Sequence, residues 1–277
     1  MKSAYMQTFS KFPFFVHSIF SKPPFLINEI TPLSVIIAAI AGGLAGILIN
    51  YFADVLPVSR RITRPVCSVC GEPYSANDYL VRFKCSGCGS THSKRFFVVI
   101  AASIISSILL LFFPFSTLGF CASLPLLVFL GVIIVIDMEH RIVVFQMSIF
   151  GFVLFFIYGV LMNNLFETLL GALGGLSIML IFYLLGKVFT KIMGKIRNRQ
   201  ISEVAFGFGD VCLGTVLGLL TGWPEIFGAI TAAILSFSGY SILLILFLIA
   251  TKKYRSFSNA QPFTMFLILG MIIVLYI

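Results

Sequence analysis

Two Cys-x-x-Cys pairs in this sequence can supply four thiolate ligands to a single metal ion. The pairs are Cys67 with Cys70 and Cys85 with Cys88, and residues 71–84 separate them. A glycine follows each pair, so the backbone can turn and aim its N–H groups at the sulfur atoms. Because four protein ligands complete the tetrahedral shell of zinc, the spacing predicts a structural zinc site.

Other readings of the six cysteines stay open at this point. The two pairs could instead form disulfides or redox dithiols, although a cytoplasmic position disfavours disulfides. His92 could replace one ligand, but a role as an exposed loop histidine is the simpler expectation. Cys121 and Cys212 lie within apolar segments, where we expect them to be small packing residues.

Two aspartates stand at the boundaries of apolar segments. Asp137 ends one such segment, and Asp210 begins another directly after Gly207, Phe208 and Gly209. A carboxylate costs about 2.5–3.5 kcal/mol at mid-bilayer and less near its boundary, which favours a functional role. The structural alternatives are an N-cap for Asp210 and an ordinary interfacial residue for Asp137.

Together the two carboxylates predict acid–base chemistry. Two close carboxylates cannot both ionise easily, so one keeps a proton while the other acts as a base. The base would activate water, and the acid would protonate the scissile carbonyl or the leaving amine. Gly207 and Gly209 remove side chains beside Asp210, so an extended peptide backbone can approach it closely. The pattern favours amide-bond hydrolysis.

The composition requires these residues to be positioned by membrane-spanning elements. Of 277 residues, 59% are hydrophobic and 10% are charged, and the mean hydropathy is +1.08. About a quarter of a soluble domain is normally charged, so too little polar material is present to coat a soluble globule. The formal charge of +9 comes from basic residues in short loops, which favours anionic membrane lipid over nucleic acid as the partner.

An all-α polytopic fold of about eight transmembrane helices follows from the apolar segments. The expected arrangement is N-out and C-out, because it puts sixteen of the nineteen basic residues inside and none in the short outer loops. The segments are Leu33–Phe52, Phe96–Phe115, Leu118–Ile136, Ile142–Met162, Leu165–Phe189, Phe206–Gly222, Ile226–Ala250 and Phe263–Ile277.

This reading divides the chain into four regions. Residues 1–32 are a tail without a convincing signal peptide, and residues 33–53 are the first transmembrane helix. Residues 54–95 form a cytoplasmic zinc-knuckle insertion, which has few apolar side chains and needs metal to fold. Residues 96–277 are the transmembrane domain that contains both aspartates.

The order of these motifs resembles a known family. An earlier span-end aspartate followed by Gly-x-Gly-Asp at 207–210 resembles the GxGD intramembrane aspartyl proteases. With the four-cysteine loop after the first span, and with segments 42–50, 56–57 and 261–263, the chain resembles the bacterial type IV prepilin peptidases from about residue 33 onwards. The resemblance implies catalysis by Asp137 and Asp210, a substrate-approach loop at 207–209, and zinc bound by the four cysteines.

The resemblance also implies a substrate, a location and a second activity. The substrate would be a prepilin or pseudopilin, and its short basic leader would be cleaved at the cytoplasmic face of the bacterial inner membrane. Many family members also methylate the new N-terminus with S-adenosylmethionine. An acidic residue that they carry after the second cysteine pair is absent from 93–99, so methylation is the weaker implication.

Two rival functions stay open. A catalytically inactive scaffold, which uses the zinc module for docking in a pilus or secretion machine, is favoured by Val144 and Cys212, where the family usually has proline and lysine. A proton- or ion-coupled transporter would use the two acids as part of an ion path. Against a transporter, the sequence shows no inverted repeat, and both acids are expected at one membrane face.

Overall fold

Described residues in this computed structural model are 31–59, 61–67, 69–75, 77–114, 119–140, 145–197, 207–251 and 262–276. Within these ranges the structure is helical and contains no extended strand, which confirms the predicted all-α class. Two isolated β-bridges join Val66 to Pro73 and Lys84 to Thr91 in the cysteine region, which also contains a short π-helix at Asp78–Arg82.

Eight α-helices are present in the described residues, and each corresponds to one predicted segment. By length and composition α1, α2, α3, α5 and α7 can span a membrane, while α4, α6 and α8 are apolar but shorter. Eight crossings therefore remain a prediction. In chain order the helices are α1 (Pro32–Ser59), α2 (Lys94–Phe112), α3 (Gly119–His140), α4 (Phe145–Met162), α5 (Leu165–Arg197), α6 (Phe208–Thr221), α7 (Glu225–Ala250) and α8 (Thr264–Tyr276).

Several helices extend beyond the segments predicted from hydropathy. Helix α5 has 33 residues and ends at Arg197 instead of Phe189, and α3 ends at His140 instead of Ile136. At 1.5 Å per residue α5 is about 50 Å long, which exceeds a hydrocarbon core of about 30 Å. Hydropathy marks where lipid ends, but a helix continues past that point because its backbone hydrogen bonds do not depend on side-chain polarity.

Compact packing divides the chain into two units, Met1–Gln146 and Met147–Ile277. The first contains α1, α2, α3 and the cysteine module, and the second contains most of α4 together with α5 to α8. This division reflects packing, whereas the four regions predicted from the sequence reflect function and remain a prediction. Residues 1–30 of the predicted tail lie outside the described residues.

In the first unit, small residues allow α1 and α2 to pack with their backbones in close contact. A Cβ atom added to Gly42 would lie 2.7 Å from the Ile104 Cα, and one added to Gly46 would lie 2.8 Å from the Ile100 Cα. The Ser107 hydroxyl donates a 2.8 Å hydrogen bond to the Ala38 carbonyl oxygen. This spacing of small residues brings helices together where lipid supplies no hydrophobic driving force.

In the second unit, glycines likewise bring the backbones of α5 and α6 into close contact. Two Gly-x-x-x-Gly pairs, Gly171 with Gly175 and Gly214 with Gly218, face one another across the two helices. A Cβ atom at Gly171 would overlap the Gly218 carbonyl oxygen, and one at Gly175 would overlap the Gly214 carbonyl oxygen. Helix α6, which begins near Asp210, is therefore held against α5 by backbone contact.

Loop contacts define which helix ends lie together in the second unit. The Asn163 side chain donates to the Leu220 carbonyl oxygen at 3.0 Å, and the Trp223 N–H donates to the Glu167 carbonyl oxygen at 3.1 Å. The end of α4, the start of α5 and the end of α6 are therefore neighbours. The membrane side of each end remains a prediction, and the loop residues Arg60, Arg141, Lys252, Lys253 and Arg255 lie outside the described residues.

The contact between α5 and α6 predicts an asymmetry between two glycine substitutions. Gly175→Ala should lower the free energy of unfolding by about 1–3 kcal/mol, because the added methyl group meets a backbone carbonyl that cannot move away alone. Gly239→Ala in α7 is the matched control, since nothing lies within 4 Å of its Cβ position. Thermal unfolding in detergent measures both, and equal behaviour would contradict the proposed packing.

Candidate functional site

The four predicted metal ligands meet in the first unit. The Sγ atoms of Cys67 and Cys88 are 3.7 Å apart, those of Cys70 and Cys85 are 3.5 Å apart, and all four lie within 4.8 Å of one another. A tetrahedral zinc ion with Zn–S distances of about 2.3 Å requires Sγ separations of about 3.8 Å. The cysteine cluster is thus confirmed, and its geometry and donor set fit a zinc ion.

Two similar turns build the cluster. The Gly71 N–H donates to the Cys67 carbonyl oxygen, and the Gly89 N–H donates to the Cys85 carbonyl oxygen, both at 2.9 Å. Gly71 has φ +78° and Gly89 has φ +69°, and nothing lies within 4 Å of either Cβ position. Backbone conformation, and not lack of space, therefore requires glycine at both positions.

The backbone around the cluster makes the thiols unequal. N–H groups of Cys70 and Val69 lower the pKa of Cys67 to about 6. The Glu72 N–H acts in the same direction on Cys70, but desolvation and the neighbouring thiols outweigh it and raise the pKa to about 12. The Ser90 N–H also lowers the pKa of Cys88, but desolvation together with the thiols of Cys67 and Cys85 outweighs it, so the pKa is raised. Metal binding must displace protons from the raised thiols, so it weakens as pH falls.

Aromatic rings support the module on the side that faces α2. The His92 ring stacks on Tyr74 and on Phe96, with centroids 5.1 and 4.3 Å apart, and meets the Tyr79 ring edge-on at 4.9 Å. Burial lowers the pKa of His92. The expectation of an exposed loop histidine was wrong, because the ring gains more from this stack than from water; among the described residues the metal cluster consists of cysteines alone.

A buried hydrogen bond attaches the module to α1. The Tyr79 hydroxyl donates to Asp54 Oδ2 at 2.8 Å, and the Tyr79 side chain is almost fully buried. Burial and the Asp54 charge raise the pKa of Tyr79, so the phenol remains a hydrogen-bond donor. The sequence analysis missed this pair, since nothing in the sequence joins residues 54 and 79.

The same aspartate belongs to an ion-pair cluster that joins three helices. The Arg95 guanidinium, at the start of α2, donates through Nη2 to Asp54 Oδ1 and through Nη1 to Glu139 Oε2. Asp54 lies near the end of α1, and Glu139 lies in the last turn of α3. The sequence does contain a signal for this ion-pair cluster. Acids near helix C-termini and a base at an N-terminus each oppose the helix dipole and therefore need partners.

Asp137 lies in the last turn of α3, at the end of the segment where the sequence placed it. Its side chain is buried, whereas Met138, Glu139 and His140 after it are exposed. Gly131, six residues earlier, lies against the Ile49 side chain of α1 and fixes the helix at this level. The carboxylate is therefore carried by a packed helix and not by a loop.

Asp210 occupies the third position of α6, after an N-cap at Gly207. Its Oδ2 accepts a 3.1 Å hydrogen bond from the Gly207 N–H, and its Oδ1 accepts a 3.4 Å hydrogen bond from the Thr264 hydroxyl. The N-cap reading of Asp210 was wrong, because the extended residue is Gly207 and the aspartate reaches back to it. Thr264, which is fully buried at the start of α8, was missed by the sequence analysis.

The segment before Asp210 is open on one side. Among the described residues, nothing lies closer than 3.8 Å to a Cβ atom added at Gly207, which leaves space beside the carboxylate. The Phe208 side chain is 61% exposed, and its ring contacts Tyr183 of α5 edge-on with centroids 6.0 Å apart. The residues of the predicted substrate-approach loop, 207–209, therefore lie accessible at the start of α6.

Cys121 and Cys212, the two cysteines outside the cluster, differ in burial. Cys121 is exposed on the surface of α3, so its expected packing role was wrong; Cys212 is half-buried in α6. Hydropathy cannot separate the two, since lipid and protein neighbours are equally apolar. Val144, where the family usually has proline, lies outside the described residues.

Apolar helices long enough to cross a membrane, a four-cysteine cluster and a carboxylate at a glycine-flanked helix start define a multi-pass helical membrane protein with a metal-binding module. Residues 124–250 match the model of the type IV leader peptidase family. Over these residues the match confirms the resemblance to the type IV prepilin peptidases, and it indicates a protease. No curated protein and no solved structure matches the chain.

The cluster geometry predicts the result of metal analysis. Cys85→Ser should remove most of the bound zinc, because three remaining thiolates leave the tetrahedral shell incomplete. Cys121→Ser is the matched control, since that thiol lies on α3 away from the cluster. Plasma mass spectrometry measures the zinc content per mole of purified protein in the two variants. Equal zinc in both variants would contradict the assignment.

Proposed function

We propose that this protein is an intramembrane aspartyl endopeptidase that removes the short basic leader from type IV prepilins or pseudopilins. Cleavage would take place at the cytoplasmic face of the bacterial inner membrane. The observation that carries the proposal is that the region matching the peptidase family contains both Asp137 and Asp210. Each of these carboxylates lies at the end of an apolar helix, where a membrane-embedded substrate can meet water.

Asp137 and Asp210 would act as a pair that shares one proton. The ionised partner takes a proton from the attacking water, while the protonated partner donates its proton to the scissile carbonyl oxygen. The partner that took the water proton then donates it to the leaving amine, and the other carboxylate takes a proton back from the tetrahedral intermediate as the C–N bond breaks. The apparent pKa values belong to the pair and not to either residue. Thr264 would hold Asp210 Oδ1 in place, and the Gly207 N–H would hold Oδ2, so the carboxylate does not rotate as the water approaches.

The open edge at Gly207 supports an extended peptide as the substrate. A prepilin consists of a basic leader followed by an apolar helix, and the bond to be cut lies between them. We expect the apolar helix to bind among the spans while the junction extends past Gly207 and Phe208. A bulky side chain at position 207 would occupy the free space that this approach requires.

The four-cysteine module would hold zinc as a structural ion, because its four protein ligands leave no position for water. Its residues Cys67 to Cys88 lie outside the matched peptidase region, which fits a supporting role. S-adenosylmethionine-dependent methylation of the new N-terminus remains an implication of the resemblance. The described residues assign no side chain to that cofactor.

Removing either catalytic charge tests the proposal. Asp137→Asn and Asp210→Asn should each lower leader cleavage by about 10²–10⁴-fold, because a carboxamide can neither accept nor donate the transferred proton. Asp78→Asn is the control, since Asp78 pairs with Arg82 in the metal module. Mass spectrometry of prepilin in membranes detects the lost leader, and a further 14 Da on the product (one methylene group) would reveal methylation.

Other results of the same assay would favour the rival functions. Cleavage by either Asn variant at the wild-type rate would remove that aspartate from the mechanism. An uncut prepilin beside a correctly inserted wild-type protein would favour the inactive scaffold. Charge movement in proteoliposomes without proteolysis would favour a transporter.

The hydrogen bond from Thr264 predicts a graded effect on the same reaction. Thr264→Val keeps the side-chain shape but removes the donor to Asp210 Oδ1, so the cleavage rate should fall about tenfold. Thr264→Ser keeps the hydroxyl and should remain near the wild-type rate. Initial rates at saturating substrate compare the two variants. Equal rates would show that the hydroxyl does not position the carboxylate.

A further inference from the structure

Two helix ends in the first unit carry charges that are unfavourable for their own helices. Helix α2 begins with Lys94 and Arg95, although the N-terminus of a helix is its positive end. Helix α3 ends with Asp137 and Glu139 in its last turn, although the C-terminus is the negative end. The end of a helix has fewer intrahelical hydrogen bonds than its middle, so contacts with other helices contribute more to the position of this turn.

Arg95 compensates these charges across the helices. Its two terminal nitrogens bind different carboxylates, Asp54 from α1 and Glu139 from α3. The side chains of Arg95 and Asp54 are partly buried, with exposed fractions of 24% and 26%, and that of Glu139 is the most exposed of the three at 35%. Partial exclusion of water strengthens charge pairs over the solvent-exposed kind.

The cluster also reaches the metal module. The second oxygen of Asp54 accepts the hydrogen bond from the buried Tyr79 hydroxyl, and the Tyr79 ring packs edge-on against Phe96 with centroids 5.7 Å apart. Asn50, one turn before Asp54, donates to the Phe96 carbonyl oxygen at 3.2 Å. The module, the end of α1 and the start of α2 are therefore joined by direct polar contacts.

We propose that Arg95 is a positioning residue for Asp137: by binding Glu139, it holds the last turn of α3 to a base formed by α1 and the metal module. Glu139 is two residues from Asp137 in the same turn, so a frayed turn would displace both side chains. The inference rests on the proposed function, because positioning matters only if Asp137 is catalytic. It assigns the metal module a mechanical role in proteolysis.

The planar guanidinium is suited to this role. It presents two terminal nitrogens in a fixed fork and can bind two carboxylates at once, whereas a lysine ammonium is a single point charge on a flexible chain. Arg95→Lys should therefore retain one contact at a time and give a partial effect. Arg95→Gln removes the charge while keeping some hydrogen-bonding capacity, so it should give the full effect.

Two measurements on the full-length protein in liposomes test the inference. The first is hydrogen exchange of the backbone amides in the last turn of α3, which should become about tenfold faster in Arg95→Gln. The second is prepilin cleavage, in which kcat should fall about 10- to 100-fold while KM and the zinc content stay near wild type. A purely stabilising residue would instead lower the amount of folded, zinc-loaded protein and leave kcat per folded molecule unchanged.

Arg82→Gln is the matched control. Arg82 is an arginine of the same module, but it is largely exposed and pairs with Asp78 at 3.6 Å within the module. Its substitution should change neither exchange in α3 nor kcat. Glu139→Gln should reproduce the effect of Arg95→Gln, and the double variant should be no worse than Arg95→Gln alone, since both residues act through one contact.

The outcomes separate this inference from the proposed function. Unchanged exchange at the end of α3 in Arg95→Gln overturns the positioning role, whatever the activity. Faster exchange with unchanged kcat also overturns it, because Asp137 would then not depend on the turn. If the wild-type protein cuts no prepilin, the proposed function fails, and a positioning role in catalysis fails with it, while exchange still reports whether Arg95 holds α3.

Discussion

Close backbone contact between helices is the constraint on which the rest of this structure depends. Lipid tails are as apolar as the helix surfaces, so helices in a bilayer gain little by hiding leucine and phenylalanine from their surroundings. Two helix pairs resolve this with glycines: Gly42 and Gly46 of α1 lie on α2, and the paired glycines of α5 lie against those of α6. The second of these contacts holds α6, from which Asp210 projects, so the position of that carboxylate depends on residues without side chains.

Polar groups then organise the helix ends that the glycine contacts bring together. In the first unit a guanidinium joins two carboxylates, and a phenol joins one of these to the metal module. In the second unit the carboxylate of Asp210 accepts from the N–H of Gly207, the N-cap of its own helix, and from the Thr264 hydroxyl of α8. Near the membrane boundary such contacts are costly to leave unmade, and they give each helix end a defined position. The four-cysteine module is attached to one of these clusters by the hydrogen bond from Tyr79 to Asp54.

Features that depend on residues close together in the sequence were predicted correctly, whereas contacts between residues distant in the chain were not predicted. The two cysteine pairs and the glycine after each specified the knuckles, because turn and ligand lie within five residues. Hydropathy located every helix but placed the ends of α3 and α5 too early, because it reports the surrounding lipid and not the backbone. The surroundings of His92 were predicted wrongly because part of its aromatic stack comes from residues distant in the chain. Those of Cys121 were predicted wrongly because apolarity does not show whether a neighbour is protein or lipid.

By itself, the sequence determined the apolar helical class, the order of the helices, the cysteines that cluster and the position of two aspartates at helix ends, because composition, periodicity and short spacings encode these directly. The tertiary structure alone decided that Arg95 joins Asp54 to Glu139, that Tyr79 binds Asp54, and that Thr264 donates to Asp210. These contacts join residues between 25 and 54 positions apart in the chain. They exist only because helix packing brings their ends together, and no local pattern can encode a partner that the fold selects.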